Sequence, residues 1–245
     1  MASAQVLLPE GEGPFPVVVQ MHGCGGVLPM QRRYAEAARE AGVAVVILDS
    51  LKPRGVTRQE ALLTVCTGLR LRGAERAQDL RDALDWIAEQ PWADAGRVAA
   101  AGWSHGGWSL MEALAANDGH AGVAALKLAV LVYPYCGPMA RTTSQGWGSN
   151  RPRVLACLAG RDAVVGRLAP RRAISRLRAD GLDVDVLEFQ DAGHCFDDET
   201  GHPPGVAYRP DLAARLSARY AATLVEALGG RSVVAVREHR SGRMR

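Results

Sequence analysis

Residues 98 to 107 read VAAAGWSHGG, so a run of small apolar residues ends in a serine with glycines two positions to either side, and a helix-compatible stretch follows. Few local structures accept that order. It predicts a strand, a sharp turn and a helix, with Ser104 raised on the turn and the glycines removing side chains that would collide with the neighbouring elements. Gly102-Trp103-Ser104-His105-Gly106 is the sole G-x-S-x-G of the chain, and the geometry it predicts suits a nucleophile.

Two further residues stand at comparable positions. Residues 184 to 189, VDVLEF, alternate like a strand, and the loop that follows carries His194. Val154 to Ala159 is a continuous apolar run typical of a buried parallel strand, and Gly160-Arg161-Asp162 follows it. Ser104, Asp162 and His194 thus occur in the order nucleophile, acid, base, each at the carboxyl end of an expected strand, which is the order and placement of an α/β-hydrolase triad. In that reading His194 takes the serine proton as general base, and Asp162 fixes the imidazole tautomer and stabilises the imidazolium. Asp197 and Asp191 are the next carboxylates in line for the acid. The acid limb of activity is expected near the ordinary histidine value, at about pH 6 to 7.

Acyl transfer also needs donors for an oxyanion. Phe15 to Met21 reads as a strand running into His22-Gly23-Cys24-Gly25-Gly26, a glycine-rich turn of the kind that offers a backbone N–H. The two donors are assigned to the N–H groups of Cys24 and His105, the latter following the nucleophile. A phosphate-cradling role for the turn is disfavoured because the G-x-G-x-x-G spacing is missing and Asp49 alone could serve as the acidic partner. His22 reads as a structural hydrogen-bonder rather than a base.

Together the stretches PEGEGPFPVVVQMHGCGG (9 to 26), VVILDSLKPRG (45 to 55), GWSHGG, AGRD and GHCFD resemble the dienelactone hydrolase family over most of residues 5 to 228. The resemblance implies an α/β-hydrolase fold: a mostly parallel sheet flanked by helices on both faces, with no large lid. Well-known members carry cysteine where this chain has Ser104, so the likeness points to the serine-bearing, carboxylesterase-like members. The family's usual first strand reads as short or absent here.

The expected function is cleavage of a carboxylic ester or lactone through an acyl-enzyme. The alternatives are an acyl transferase or peptidase using the same triad, or a silent binding protein on the same fold. Nothing in the sequence supplies metal-ligand spacing or a dinucleotide fingerprint, so no metal and no cofactor are expected. The net charge of +3, with Lys52 and Lys127 the only lysines, gives no basic patch interleaved with aromatics and hence no nucleic-acid partner. No run reaches the roughly 18 apolar residues of a membrane span, and Met1 to Gln5 has no export pattern. A cytoplasmic monomer or homodimer acting on a small molecule is the expectation, with an exported form left open should the true start lie upstream. The five cysteines lack C-x-x-C spacing, and if one bridge forms, Cys66 to Cys136 is the expected pair.

Along the chain, helices are expected near 30 to 41, 74 to 90, 170 to 179 and 211 to 228, with strands also at 43 to 48 and 128 to 132. Strands alternating with helices make a parallel sheet covered on both faces. Residues 1 to 229 form one domain, and 230 to 245, rich in arginine, read as a mobile basic tail. Two long loops, Leu51 to Leu71 and Tyr135 to Arg151, follow strands on the catalytic edge and are expected to wall an open, modest pocket preferring short acyl chains. Trp103, Tyr135, Met139 and Trp147 are its candidate apolar contacts, and Arg54 or Arg141 its candidate carboxylate anchor.

Overall fold

The computed structural model describes residues 3–141, 145–200 and 207–229. The tail expected at 230 to 245 lies outside the described residues. Seven strands form one sheet: β1 (Ser3–Leu7), β2 (Phe15–Met21), β3 (Ala44–Asp49), β4 (Ala93–Trp103), β5 (Leu128–Val132), β6 (Arg153–Ala159) and β7 (Val184–Phe189). Their spatial order is β1-β3-β2-β4-β5-β6-β7, and every pairing is parallel except that of β1 with β3. The first strand is therefore short but present. It escapes the pattern because it is an edge strand whose Ala4, Gln5 and Val6 are exposed, so no buried face imposes apolar alternation on it.

The inner strands read as nearly continuous apolar runs because both their faces are covered. In β2, Val17 and Val19 point into one core with Met21, whereas Val18 points into the other. Helices α1 (Pro29–Glu40) and α7 (Pro210–Leu228) cover one face. Helices α3 (Gly73–Ala88), α4 (His105–Ala116) and α6 (Leu168–Ala179) cover the other. In α1 the buried Met30, Tyr34 and Ala38 recur every four residues and make a single stripe against the sheet. A short helix, α5 (Ala121–Ala124), precedes β5. No helix among the described residues is long and apolar enough to cross a membrane.

The chain passes from β2 to β3 on one side and returns to place β4 on the other. This reversal opens a crevice at the carboxyl ends of β2 and β4, where ligands bind in open α/β sheets. The turns after these two strands are His22–Gly26 and Ser104.

The stretch from Leu51 to Leu71 is not irregular throughout. It contains a 3₁₀ turn (Lys52–Arg54) and helix α2 (Arg58–Thr64), begun by the Thr57 side chain accepting from Glu60 N. Leu51, Val56, Ala61, Val65 and Leu71 form a small core of their own, against which Cys24 packs.

Candidate active site

Ser104 has φ 52° and ψ −112°, a left-handed conformation that non-glycine residues rarely adopt. Packing holds it there. Ser104 N donates to Val132 O at 2.9 Å, and the Ser104 carbonyl accepts from Trp108 N and Tyr135 N. A Cβ on Gly102 would lie 2.4 Å from the Gly106 backbone, and one on Gly106 would lie 2.1 Å from Met21 O. Two glycines of the motif are therefore demanded by close approach between β4, α4 and β2.

The structure brings the three sequence-predicted residues together. Ser104 Oγ lies 2.9 Å from His194 Nε2, and His194 Nδ1 lies 2.7 Å from Asp162 Oδ2. All three are buried. The other carboxylate oxygen, Asp162 Oδ1, accepts from Val164 N and Val165 N at 2.9 and 3.0 Å, which fixes the carboxylate plane. With Nδ1 donating to Asp162, Nε2 is left to accept the serine hydroxyl proton. Burial opposes the imidazolium, but the hydrogen bonds to Asp162 and Cys195 outweigh it, so the His194 pKa is raised above the ordinary histidine value. The expected position of the acid limb moves above the ordinary histidine value accordingly.

The reserve carboxylates lie elsewhere. Asp191 pairs with Arg161 on the surface. Asp197 is fully buried and accepts from Tyr133 Oη at 2.6 Å and Tyr34 Oη at 2.7 Å; burial raises its pKa against the pull of those hydroxyls. The Tyr133 ring packs 4.7 Å from the His194 ring, so this polar cluster supports the histidine loop from behind.

Cys24 and His105 both border the cavity that Ser104 and His194 open into. Neither residue's backbone N–H is hydrogen-bonded to a protein acceptor among the described residues. His22 is structural: its Nε2 accepts from Ser50 N at 3.1 Å and its Nδ1 donates to Gly23 O. Burial, then the neighbouring Arg76 cation, hold its pKa well below the usual value, so the ring is neutral.

The cavity is about 570 Å³ and mostly apolar, walled by Leu62 and Val65 of the 51–71 segment, by Trp108, and by Tyr135, Met139 and Val165. Tyr135 and Met139 are where the sequence placed them. Trp103 is not: its side chain points through the sheet and packs 5.0 Å from Tyr34, ring to ring, on the α1 and α7 side. Strand alternation explains this, since Trp103 ends β4 and faces away from the crevice. Trp147 is fully buried in the core under α3, α4 and α6. Arg54 is no anchor either, because it makes a two-pronged ion pair with buried Asp79 at 2.8 and 3.0 Å. Arg141 pairs with Glu112.

Trp108 was missed although it stands one helical turn after Ser104, a spacing that puts both on one side of α4. Leu62 and Val65 carried no such signal. The disulfide also differs from expectation: Cys24 bonds to Cys66, with Cα atoms 5.0 Å apart. Cys136 is a free thiol, fully buried beside Met111 Sδ.

Residues 2–144 match the sequence profile of the X-Pro dipeptidyl-peptidase (S15 family), which is more than half of the chain. The chain belongs to the S15 family. A search of the curated proteins finds no match. Solved structures share the fold of this S15 member across nearly its whole length. A protein of Klebsiella pneumoniae described as a dienelactone hydrolase is 19% identical, with 92% of each chain covered and a TM-score of 0.71. A dienelactone hydrolase-like promiscuous phosphotriesterase from metagenomic libraries is 22% identical, covering 91% of this chain and 92% of its own, with a TM-score of 0.70. A thermostable carboxylesterase cloned from a metagenomic library is 20% identical, covering 92% and 84%, with a TM-score of 0.65. The α/β-hydrolase fold and the dienelactone hydrolase-like architecture read from the motifs are thus borne out.

Proposed function

We propose that this S15 member is a serine hydrolase that cleaves a carboxylic ester or lactone through an acyl-enzyme. The observation that carries the reading is the continuous path from Ser104 Oγ to His194 at 2.9 Å and from His194 to Asp162 at 2.7 Å, opening on an apolar cavity. His194 withdraws the serine proton as the hydroxyl attacks the carbonyl, then returns it to the leaving alkoxide; a water activated by the same ring releases the acid. The N–H groups of Cys24 and His105 stabilise the tetrahedral oxyanion. That the structural neighbours include esterases and dienelactone hydrolases agrees with an ester or lactone substrate.

The family description offers dipeptide release as a second reading. That reaction must hold the free α-ammonium of a peptide, which calls for an available carboxylate in the pocket. Asp198 is the acidic side chain on the cavity wall; it is buried, and its Oδ1 accepts from Thr200 N and Oγ1, leaving Oδ2 as the oxygen an ammonium would have to meet. The rest of the wall is mostly apolar, which favours esters. The test is fluorophosphonate labelling followed by a panel of nitrophenyl esters, lactones and X-Pro nitroanilides. Labelling at Ser104 with ester turnover supports the proposal; faster X-Pro cleavage moves the assignment to a peptidase, and no labelling removes the acyl-enzyme.

A further inference from the structure

Arg76, in α3, is fully buried, yet it lies outside the triad and borders no part of the cavity. Burial lowers its pKa to about 10, which still leaves it charged at neutral pH. Its guanidinium reaches three elements at once. Nε donates to Ser50 Oγ at 3.1 Å, one terminal nitrogen donates to His22 O at 2.8 Å, and the other meets His105 Nδ1 at 3.0 Å. Burying a cation is costly unless its surroundings repay it, and here every partner belongs to the turns that border Ser104 or to the adjoining Ser50.

Resting on the serine-hydrolase reading above, we infer that Arg76 is a positioning residue that holds both oxyanion donors in register. The geometry runs through two arms. In the first, Arg76 grips the His22 carbonyl, Ser50 N grips His22 Nε2, and His22 Nδ1 donates to Gly23 O. The Gly23–Cys24 peptide is planar, so a carbonyl pinned toward His22 aims the Cys24 N–H the opposite way. In the second arm, Arg76 grips the imidazole of His105, whose backbone N–H is the other donor. Burial and then Arg76 depress the pKa of both histidines, which keeps each ring neutral and able to accept where this network needs it. One planar fork thereby couples the loop after β2 to the start of α4. Lysine carries the charge but not the fork.

The experiment compares wild type, Arg76→Met, Arg76→Lys and His105→Leu, each titrated with a fluorophosphonate so that kcat is expressed per functional serine. Arg76→Met is expected to lower kcat by about 10²-fold with KM within about threefold, as for loss of an oxyanion donor. The affinity for a boronic acid, which mimics the tetrahedral state, falls by a similar factor, whereas that for the product carboxylic acid does not. Arg76→Lys and His105→Leu, each keeping one arm, fall by about tenfold. A merely structural role would lower yield and melting temperature but leave kcat per titrated site at the wild-type value; that result overturns the inference while the hydrolase reading stands. Should Arg76→Met not fold, the Lys and Leu variants decide by the same criterion. A wild-type protein that takes no fluorophosphonate and turns over no ester overturns both.

Discussion

The turn from Gly102 to Gly107 and the segment from Leu51 to Leu71 border the same cavity, yet they are held in different ways. The turn is fixed by backbone: two absent side chains, three main-chain hydrogen bonds and an elevated φ at Ser104. The segment is fixed by side chains, namely a five-residue core, the Arg54–Asp79 pair and the disulfide to Cys24. A site whose chemistry needs sub-ångström placement has its reacting groups on the first kind of support, and the surface that meets the rest of the substrate on the second. The turn is thus expected to accept no side chain at Gly102 or Gly106, and the segment to accept several changes with graded cost.

The largest expected effect comes from the turn. Ser104→Ala should lower ester turnover by about 10⁶-fold, abolish fluorophosphonate labelling and leave the melting temperature near wild type, because alanine meets the same backbone strain as serine and removes only one hydroxyl. Retained turnover would break the comparison at its base. Next is Asp162→Asn, expected to cost about 10⁴-fold by presenting the wrong imidazole tautomer. Its pH profile gives a second readout. Because Asp162 raises the folded-state pKa of His194, the wild-type ring stays protonated, and inactive, until the pH climbs through that raised value. The acid limb of kcat/KM should therefore lie above the ordinary histidine range. Without the carboxylate, burial is the dominant influence and the limb moves to lower pH. A limb that does not move would assign it to another group.

The segment should respond more mildly. Cys66→Ser, or reduction of the wild type, is expected to lower kcat/KM by about tenfold, chiefly through KM, because the wall loosens while the donors stay gripped by Arg76. A loss confined to kcat would show that the bridge, and not the fork, aims Cys24. The smallest effect on activity is expected from Arg54→Ala, within about twofold, since Arg54 bonds Asp79 and the Ser50 carbonyl and lines no part of the cavity. It should nonetheless cost about 1–3 kcal/mol in denaturant unfolding by stranding a buried carboxylate. A marked rise in KM for anionic esters would restore Arg54 as the anchor.

The same contrast explains what the sequence disclosed. Val154 to Ala159 and Phe15 to Met21 are legible because burial on both faces leaves little room for polar residues, Gln20 being the exception, and Ser104, Asp162 and His194 are legible because each lies just beyond the end of a readable strand, apolar for the first two and alternating for the third. Helix α2 was not. It has seven residues, and its Leu62 and Leu63 are half or more exposed, so it shows no apolar stripe to mark it. Trp103 misled because a residue next to a nucleophile in sequence stands on the opposite face of the strand. Cys24 pairs with Cys66 rather than leaving Cys66 to Cys136 because pairing follows three-dimensional proximity, which spacing along a chain does not encode.

The bridge has a topological side as well. It joins residues 42 apart in sequence and so closes a covalent ring that contains α1, β3 and α2. Such a ring restrains the unfolded chain by about 4 kcal/mol on a loop-entropy basis. It also means that a protease nick in the exposed stretch around Lys52 to Gly55 would sever the polypeptide without parting it. Under denaturing conditions the two fragments would travel as one molecule while the bridge is oxidised and separate on reduction, so that a cut in this exposed loop is one the molecule survives in one piece.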